Sequence, residues 1–141
     1  LITAEDLPFI IADVMESKEY QYLELKKCDI STGLDRGSSG SLELAINGEE
    51  FTGNGIGNGG FDAFMDAITK ILAKIAFTMP TLKDYEVHIP RGGKTDALTE
   101  CIITWQNEEQ EFKTRGVDSN QVMAAVKATT RMINMKMHAN S

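Results

Sequence analysis

Glu50-Phe-Thr-Gly-Asn-Gly-Ile-Gly-Asn-Gly-Gly-Phe-Asp-Ala-Phe-Met-Asp-Ala-Ile-Thr-Lys-Ile-Leu72 is the stretch on which the fold turns. Its first half reads as a glycine-rich turn over Gly53–Gly60. Its second half reads as a helix with one apolar face, because Phe61, Phe64, Met65, Ile68, Ile71, Leu72 and then Ile75 recur at three- and four-residue spacing. A glycine turn that opens a helix leaves backbone N–H groups at the positive end of the helix dipole, which suits a small anion or a carboxylate. A shift of 61 residues carries Glu50 onto Glu111, and the two stretches align without a gap as far as Leu72 and Ile133. Phe51 meets Phe112, Gly55 meets Gly116, Ala63 meets Ala124, Ala67 meets Ala128 and Thr69 meets Thr130, with Ile56/Val117 and Lys70/Arg131 as conservative matches. Shared secondary structure alone would produce some of these identities; a gapless run ending in a common helix pattern favours duplication. The copies differ at the helix start, Gly57-Asn58-Gly59-Gly60 against Asp118-Ser119-Asn120-Gln121. An acid at the second start itself occupies the positive end of the dipole, whereas the first is left open.

Working outward, Tyr20–Ile30 alternates as a strand, Ser31–Ser41 reads as a flexible loop, and Leu42–Ile46 is a second strand. Asn47-Gly48 is a strong hairpin signal, with Glu49–Thr52 returning. The central helix runs on to Phe77 and ends near Pro80. Leu82–Ile89 is a strand, Pro90–Thr95 a turn and Leu98–Gln106 a long strand. Glu111–Thr114 returns after a tight turn at Asn107-Glu-Glu, Gly116–Asp118 turns, and Gln121–Met135 is the last helix. Upstream, Thr3-Ala-Glu-Asp6 resembles a capping box, and Phe9, Ile10 and Val14 give a short amphipathic helix. Each one-faced helix needs a sheet to cover. The expected fold is therefore α+β, two pseudo-symmetric βββα units over 18–141, with a linker helix over 1–17.

A length of 141 residues fits one domain with a real core. A net charge of −7 with no basic stripe argues against a nucleic-acid partner. No apolar run approaches the ~18–20 residues that span a bilayer, and no signal peptide is visible. Cys28 and Cys101 sit in strand-like segments without a CxxC or Cys/His cluster, so reduced buried thiols and a cytoplasmic location are expected. The chain begins at Leu1 and is read as a piece of a longer protein. Gly55-x-Gly57-x-x-Gly60 matches the dinucleotide fingerprint formally, but the preceding strand belongs to an antiparallel hairpin, and no Gly-Lys-Ser/Thr follows to make a P-loop. His88 and His138 stand alone, and Asp62 and Asp66 lie at i, i+4 on a polar helix face. No catalytic set and no metal pair emerges.

The order Gly57-Asn-Gly-Gly-Phe-Asp62-Ala63, Leu82-Lys-Asp-Tyr85-Glu-Val87, Gly92-Gly93-Lys-Thr95-Asp96-Ala97-Leu98, Gly116-Val117 and Ala124-x-x-Lys127-Ala128 resembles the C-terminal allosteric domain of 2-isopropylmalate synthase and of its relative citramalate synthase. Gly60 stands where that pattern usually has Pro. The resemblance covers Tyr20 to Ile133. It implies two βββα units, a homodimer and a bound branched-chain amino acid, leucine or isoleucine, as a feedback signal. It also implies an upstream TIM barrel that condenses acetyl-CoA with a 2-oxo acid on a divalent metal. It implies no catalytic residue, metal or cofactor in this domain. Carried over by position, the ligand role falls on Asn58, Gly59, Gly60, Asp62 and Ala63, and further on Tyr85, Thr95, Asp96 and Ala97. Set against this are a structural dimerisation module without a ligand and, weaker, a small enzyme using the glycine loop for phosphates.

Overall fold

The computed structural model describes residues 21–35, 37–89, 98–108 and 110–140. They divide into two compact units, Tyr22–Met79 and a second that begins at Pro80. The expected linker helix over 1–17 and the turn over Pro90–Thr95 lie outside the described residues.

In the first unit, strands β1 (Leu23–Gly33), β2 (Gly37–Ile46) and β3 (Glu49–Gly57) form an antiparallel meander in the order β1-β2-β3, and helix α1 (Gly60–Ala73) covers one face. The second unit repeats the plan with β4 (Thr81–His88), β5 (Thr99–Asn107), β6 (Gln110–Asp118) and helix α2 (Gln121–Ala139). The fold is thus α+β, built of two βββα units that repeat one plan, as the sequence repeat predicts. Asn47 and Gly48 both adopt positive φ, 51° and 86°, so the hairpin turn matches the strand twist.

Three sequence expectations are corrected. Gly53–Gly57 is strand, not turn: β3 runs through it, and only Asn58-Gly59 separates strand from helix. Gly116 likewise lies inside β6. The reason is close packing of helix on strand. A Cβ at Gly55 would stand 2.3 Å from the Ala63 carbonyl oxygen and 2.4 Å from the Ala67 nitrogen. At Gly116 the same atoms of Ala124 and Ala128 would lie at 2.0 and 2.6 Å. The matched glycines and alanines are one contact made twice. Ser31–Ser41 is mostly strand as well, because Ser38, Gly40 and Leu42 turn inward while Ser39 and Ser41 face out. A Cβ at Gly40 would meet the tip of Ile30 at 2.9 Å and the Ala63 backbone at 3.6 Å, so β2 lies close under α1 there as well.

The helices differ in length from their sequence readings. α1 stops at Ala73, where Ala76 takes a left-handed φ of 57° and the Phe77 N–H bonds back to the Leu72 carbonyl at 3.1 Å. This is the Schellman arrangement, here with alanine at the left-handed position. α2 instead continues to Ala139. Leu42, Leu44, Phe64, Ile68, Ile71 and Leu72 are buried in the first unit, and Ile103, Trp105, Met132 and Ile133 in the second. Trp105 donates from Nε1 to Thr114 Oγ1 at 2.9 Å, and Thr114 donates on to the Ala128 carbonyl at 2.7 Å, which ties sheet to helix without an orphaned polar atom in that relay.

Candidate ligand-binding site

At the start of α1, Gly59 is the N-cap, in extended conformation, and has no side chain with which to cap the first turn. The reciprocal half of a capping box remains: Asp62 Oδ2 accepts the Gly59 N–H at 3.1 Å. The Ala63 N–H bonds the Gly59 carbonyl at 3.0 Å and begins the helical ladder. One turn on, Asp66 Oδ2 accepts the Ile56 N–H at 3.0 Å and the Lys70 ammonium at 2.9 Å. The Ile56 amide first, and Lys70 second, hold the Asp66 carboxyl below the usual carboxylate range. Phe61 stacks on Phe64 with centroids 6.0 Å apart.

The start of α2 is built differently. Asn120 Oδ1 accepts the Met123 N–H at 3.0 Å, a side-chain cap of the ordinary kind. Asp118 Oδ2 accepts the Asn120 N–H at 2.8 Å, and Asp118 Oδ1 pairs with Lys127 Nζ at 2.9 Å. Lys127 also donates to the Val117 carbonyl at 3.2 Å. The Asn120 amide and then Lys127 hold the Asp118 carboxyl below its ordinary range. The second helix start is closed by its own side chains; the first has its N-cap amide taken by Asp62 but no side-chain acceptor for the first-turn amide that Asn120 serves in α2.

Asn58, Gly59, Gly60, Asp62 and Ala63 therefore come together at one helix start. Asn58 and Asp62 are exposed, whereas Ala63 is fully buried against β3. Tyr85 belongs to the second unit, on β4 opposite Ile103, half-buried beside the Cys101 thiol. Thr95, Asp96 and Ala97 lie outside the described residues. A shallow hollow lined by Asp29, Ser31, Ser39, Ser41, Asn54 and Ile56 lies on the sheet face turned away from α1. Sequence reasoning missed Asp66 and Lys127 as clasps between helix and strand. The Asp66/Lys70 spacing shows a helix pair, but nothing in it shows the bond to Ile56.

Burial pushes the Cys28 and Cys101 thiols up to about 11, so both stay protonated and unreactive near neutrality. His88 pairs with Glu86 at 3.2 Å on an exposed face. Among the described residues no group of three or more His, Cys, Asp or Glu side chains is placed to hold a metal. No described helix is long and apolar enough to cross a membrane.

The described chain is thus a βββα unit made twice, and of its two helix starts only that of α2 is capped by a side-chain acceptor. The family model described as the LeuA allosteric (dimerisation) domain matches residues 1–137, and the chain belongs to that family. The chain is 32% identical over 133 residues to a putative (R)-citramalate synthase CimA of Methanosphaerula palustris, covering 94% of this chain and 26% of that protein. It is 31% identical over 135 residues to the 2-isopropylmalate synthase of Methanocaldococcus jannaschii, covering 94% and 25%. A probable 2-isopropylmalate synthase of Methanopyrus kandleri is 31% identical over 126 residues, covering 89% and 24%. The chain spans about a quarter of the length of these curated relatives.

Proposed function

We propose that the chain is the regulatory module of a 2-isopropylmalate synthase, forming a homodimer and binding a branched-chain end product, leucine or isoleucine, to inhibit an upstream TIM-barrel enzyme. The same module on a citramalate synthase, under isoleucine control, is the nearest alternative. The reading is carried by the contrast between the two helix starts. Where α2 closes its first turn with Asn120, α1 has Gly59, whose missing side chain leaves room for a carboxylate to take that place. Asp62 offers a negative group for the ligand's ammonium, and Phe61 and Met65 offer apolar surface. The helix-end interaction contributes only ~0.3–1 kcal/mol, against about 8 kcal/mol for micromolar binding, so enclosure by a second copy has to supply much of the rest. Inhibition further requires that the ligand bind two arrangements of the dimer unequally. Calorimetric titration with leucine, isoleucine and valine tests the proposal: heat with one of them is expected, and silence with all three overturns the regulatory role.

A second reading has its own observation. Asp62 already holds the Gly59 N–H, and Gly53, Gly55 and Gly57 are used in packing against α1. A structural dimerisation module without a ligand would sediment as a dimer and ignore amino acids.

A further inference from the structure

We infer that the free edge of β3 is the surface on which a second copy of this chain docks, strand against strand and antiparallel, with Thr52 facing its counterpart across the two-fold axis. The inference rests on the dimer half of the proposed function and specifies its surface.

An exposed sheet edge invites pairing with another chain, and native proteins protect such edges with bulges, lysines and side-chain covers. Each three-stranded sheet has two edges, and among the described residues three of the four carry such a device. β1 carries an irregularity between Leu25 and Lys27, with lysines at 26 and 27, and β4 carries one between Leu82 and Asp84, at Lys83. On β6 the two-residue hairpin register turns the backbone groups of Glu111, Lys113, Arg115 and Val117 away from β5. Arg131 covers the Arg115 carbonyl, Lys127 covers the Val117 carbonyl, and Lys113 adds a charge.

On β3 the same register turns the groups of Glu50, Thr52, Asn54 and Ile56 outward. Among the described residues only the Ile56 N–H is covered, by Asp66. Lys70, which corresponds to Arg131, is turned to Asp66 instead. Thr52 and Asn54 replace the basic pair Lys113 and Arg115, both are exposed, and among the described residues no side chain meets their outward backbone groups. The edge that the repeat could have protected in the same way carries no such cover among the described residues.

The one clasp and the hairpin turn together select the register. Pairing Thr52 with Thr52 sets Glu50 opposite Asn54 and uses the free outward groups of all three residues while leaving the Ile56 N–H to Asp66. A slip by two in one direction would oppose Glu50 to Ile56 and require that occupied amide, and a slip by two in the other would set Asn54 against Gly48 in the hairpin turn, where it has no strand partner. The chosen register also places Phe51 opposite Gly53, on the face where Ile71 of α1 packs over Gly53. It keeps the two Glu50 carboxylates apart.

Sedimentation of the full chain tests this. Thr52→Pro removes an N–H that the monomer does not use and is tolerated at an outward edge position, so the fold persists by circular dichroism. Both central hydrogen bonds are lost with it, and dimer dissociation should rise roughly 100-fold. Thr52→Lys, which sets two like charges face to face, should weaken the dimer as well. Lys113→Pro, at the corresponding place on β6, should leave it intact. A wild-type chain that stays monomeric at 100-micromolar concentration, roughly the upper limit for a functional contact, overturns the dimer reading itself. A dimer indifferent to both Thr52 changes, or broken by Lys113→Pro instead, overturns only the assignment to β3. The amino-acid titration is a separate readout: binding by a chain that stays monomeric would overturn enclosure by a second copy and leave the ligand reading standing.

Discussion

At the scale of single residues, the repeat is held by contacts in which no atom can be added. Gly55 and Gly116 each face the backbone of two helical alanines, and backbone cannot swing aside as a side-chain tip can. Gly55→Ala and Gly116→Ala should each cost ~3 kcal/mol or more, at or above the top of the range for overpacking, read as a lower denaturation midpoint. Ala76 makes the opposite case. It holds a left-handed φ of 57° with no glycine to ease it. Ala76→Gly should stabilise by about 0.5–1 kcal/mol, with the midpoint moved and the slope unchanged. The sequence pairs Gly55 with Gly116, Ala63 with Ala124 and Ala67 with Ala128, so the contact was visible as a pattern. Its geometry was not, because a glycine cluster reads equally as a turn or as a strand pressed under a helix.

Among elements, the helices are fastened to their edge strands by charged side chains, and this attachment is sensitive to acid. Asp66 and Asp118 each accept a backbone N–H and a lysine, and both have carboxyls below the ordinary range. A carboxyl depressed in the folded state adds stability above its unfolded value, near ~3.9, and that contribution is lost as pH falls through the lower folded value. Thermal midpoints should therefore drop as pH is lowered from about 5 to 3, and Asp66→Asn with Asp118→Asn should flatten the drop. Neutral-pH ion pairing at such exposed positions is weak, so the slope is the quantity to follow. Element order and the two hairpins were legible because alternation and Asn47-Gly48 are local signals. The end of α1 was not, since Ile75 and Phe77 continue the apolar pattern past the residue where the backbone turns. The clasps were not either, because they join residues ten apart across a strand–helix junction.

For the molecule as a whole, duplication supplies a control within one chain: the same unit twice, with one helix start capped by a side chain and one not. Gly59 is extended, and a Cβ there would lie 3.4 Å from Asp62 Oδ2, an ordinary contact. Gly59→Asn should therefore fold, and its amide oxygen should cap α1 as Asn120 caps α2, raising stability by a few tenths of a kcal/mol. It would also fill the place proposed for the ligand carboxylate, so calorimetry should show amino-acid binding at least ~10-fold weaker, equivalent to about 1.4 kcal/mol. Sedimentation should be unchanged, because Gly59 lies beyond the Glu50–Asn54 edge. The reciprocal change, Asn120→Ala, should cost ~1 kcal/mol of stability and leave amino-acid affinity alone. A Gly59→Asn chain that gains stability and still binds with wild-type affinity would place the carboxylate elsewhere. Loss of binding with the dimer intact would separate the ligand site from the docking edge, so that regulation has to pass from one to the other through β3 and α1, which Asp66 joins at Ile56.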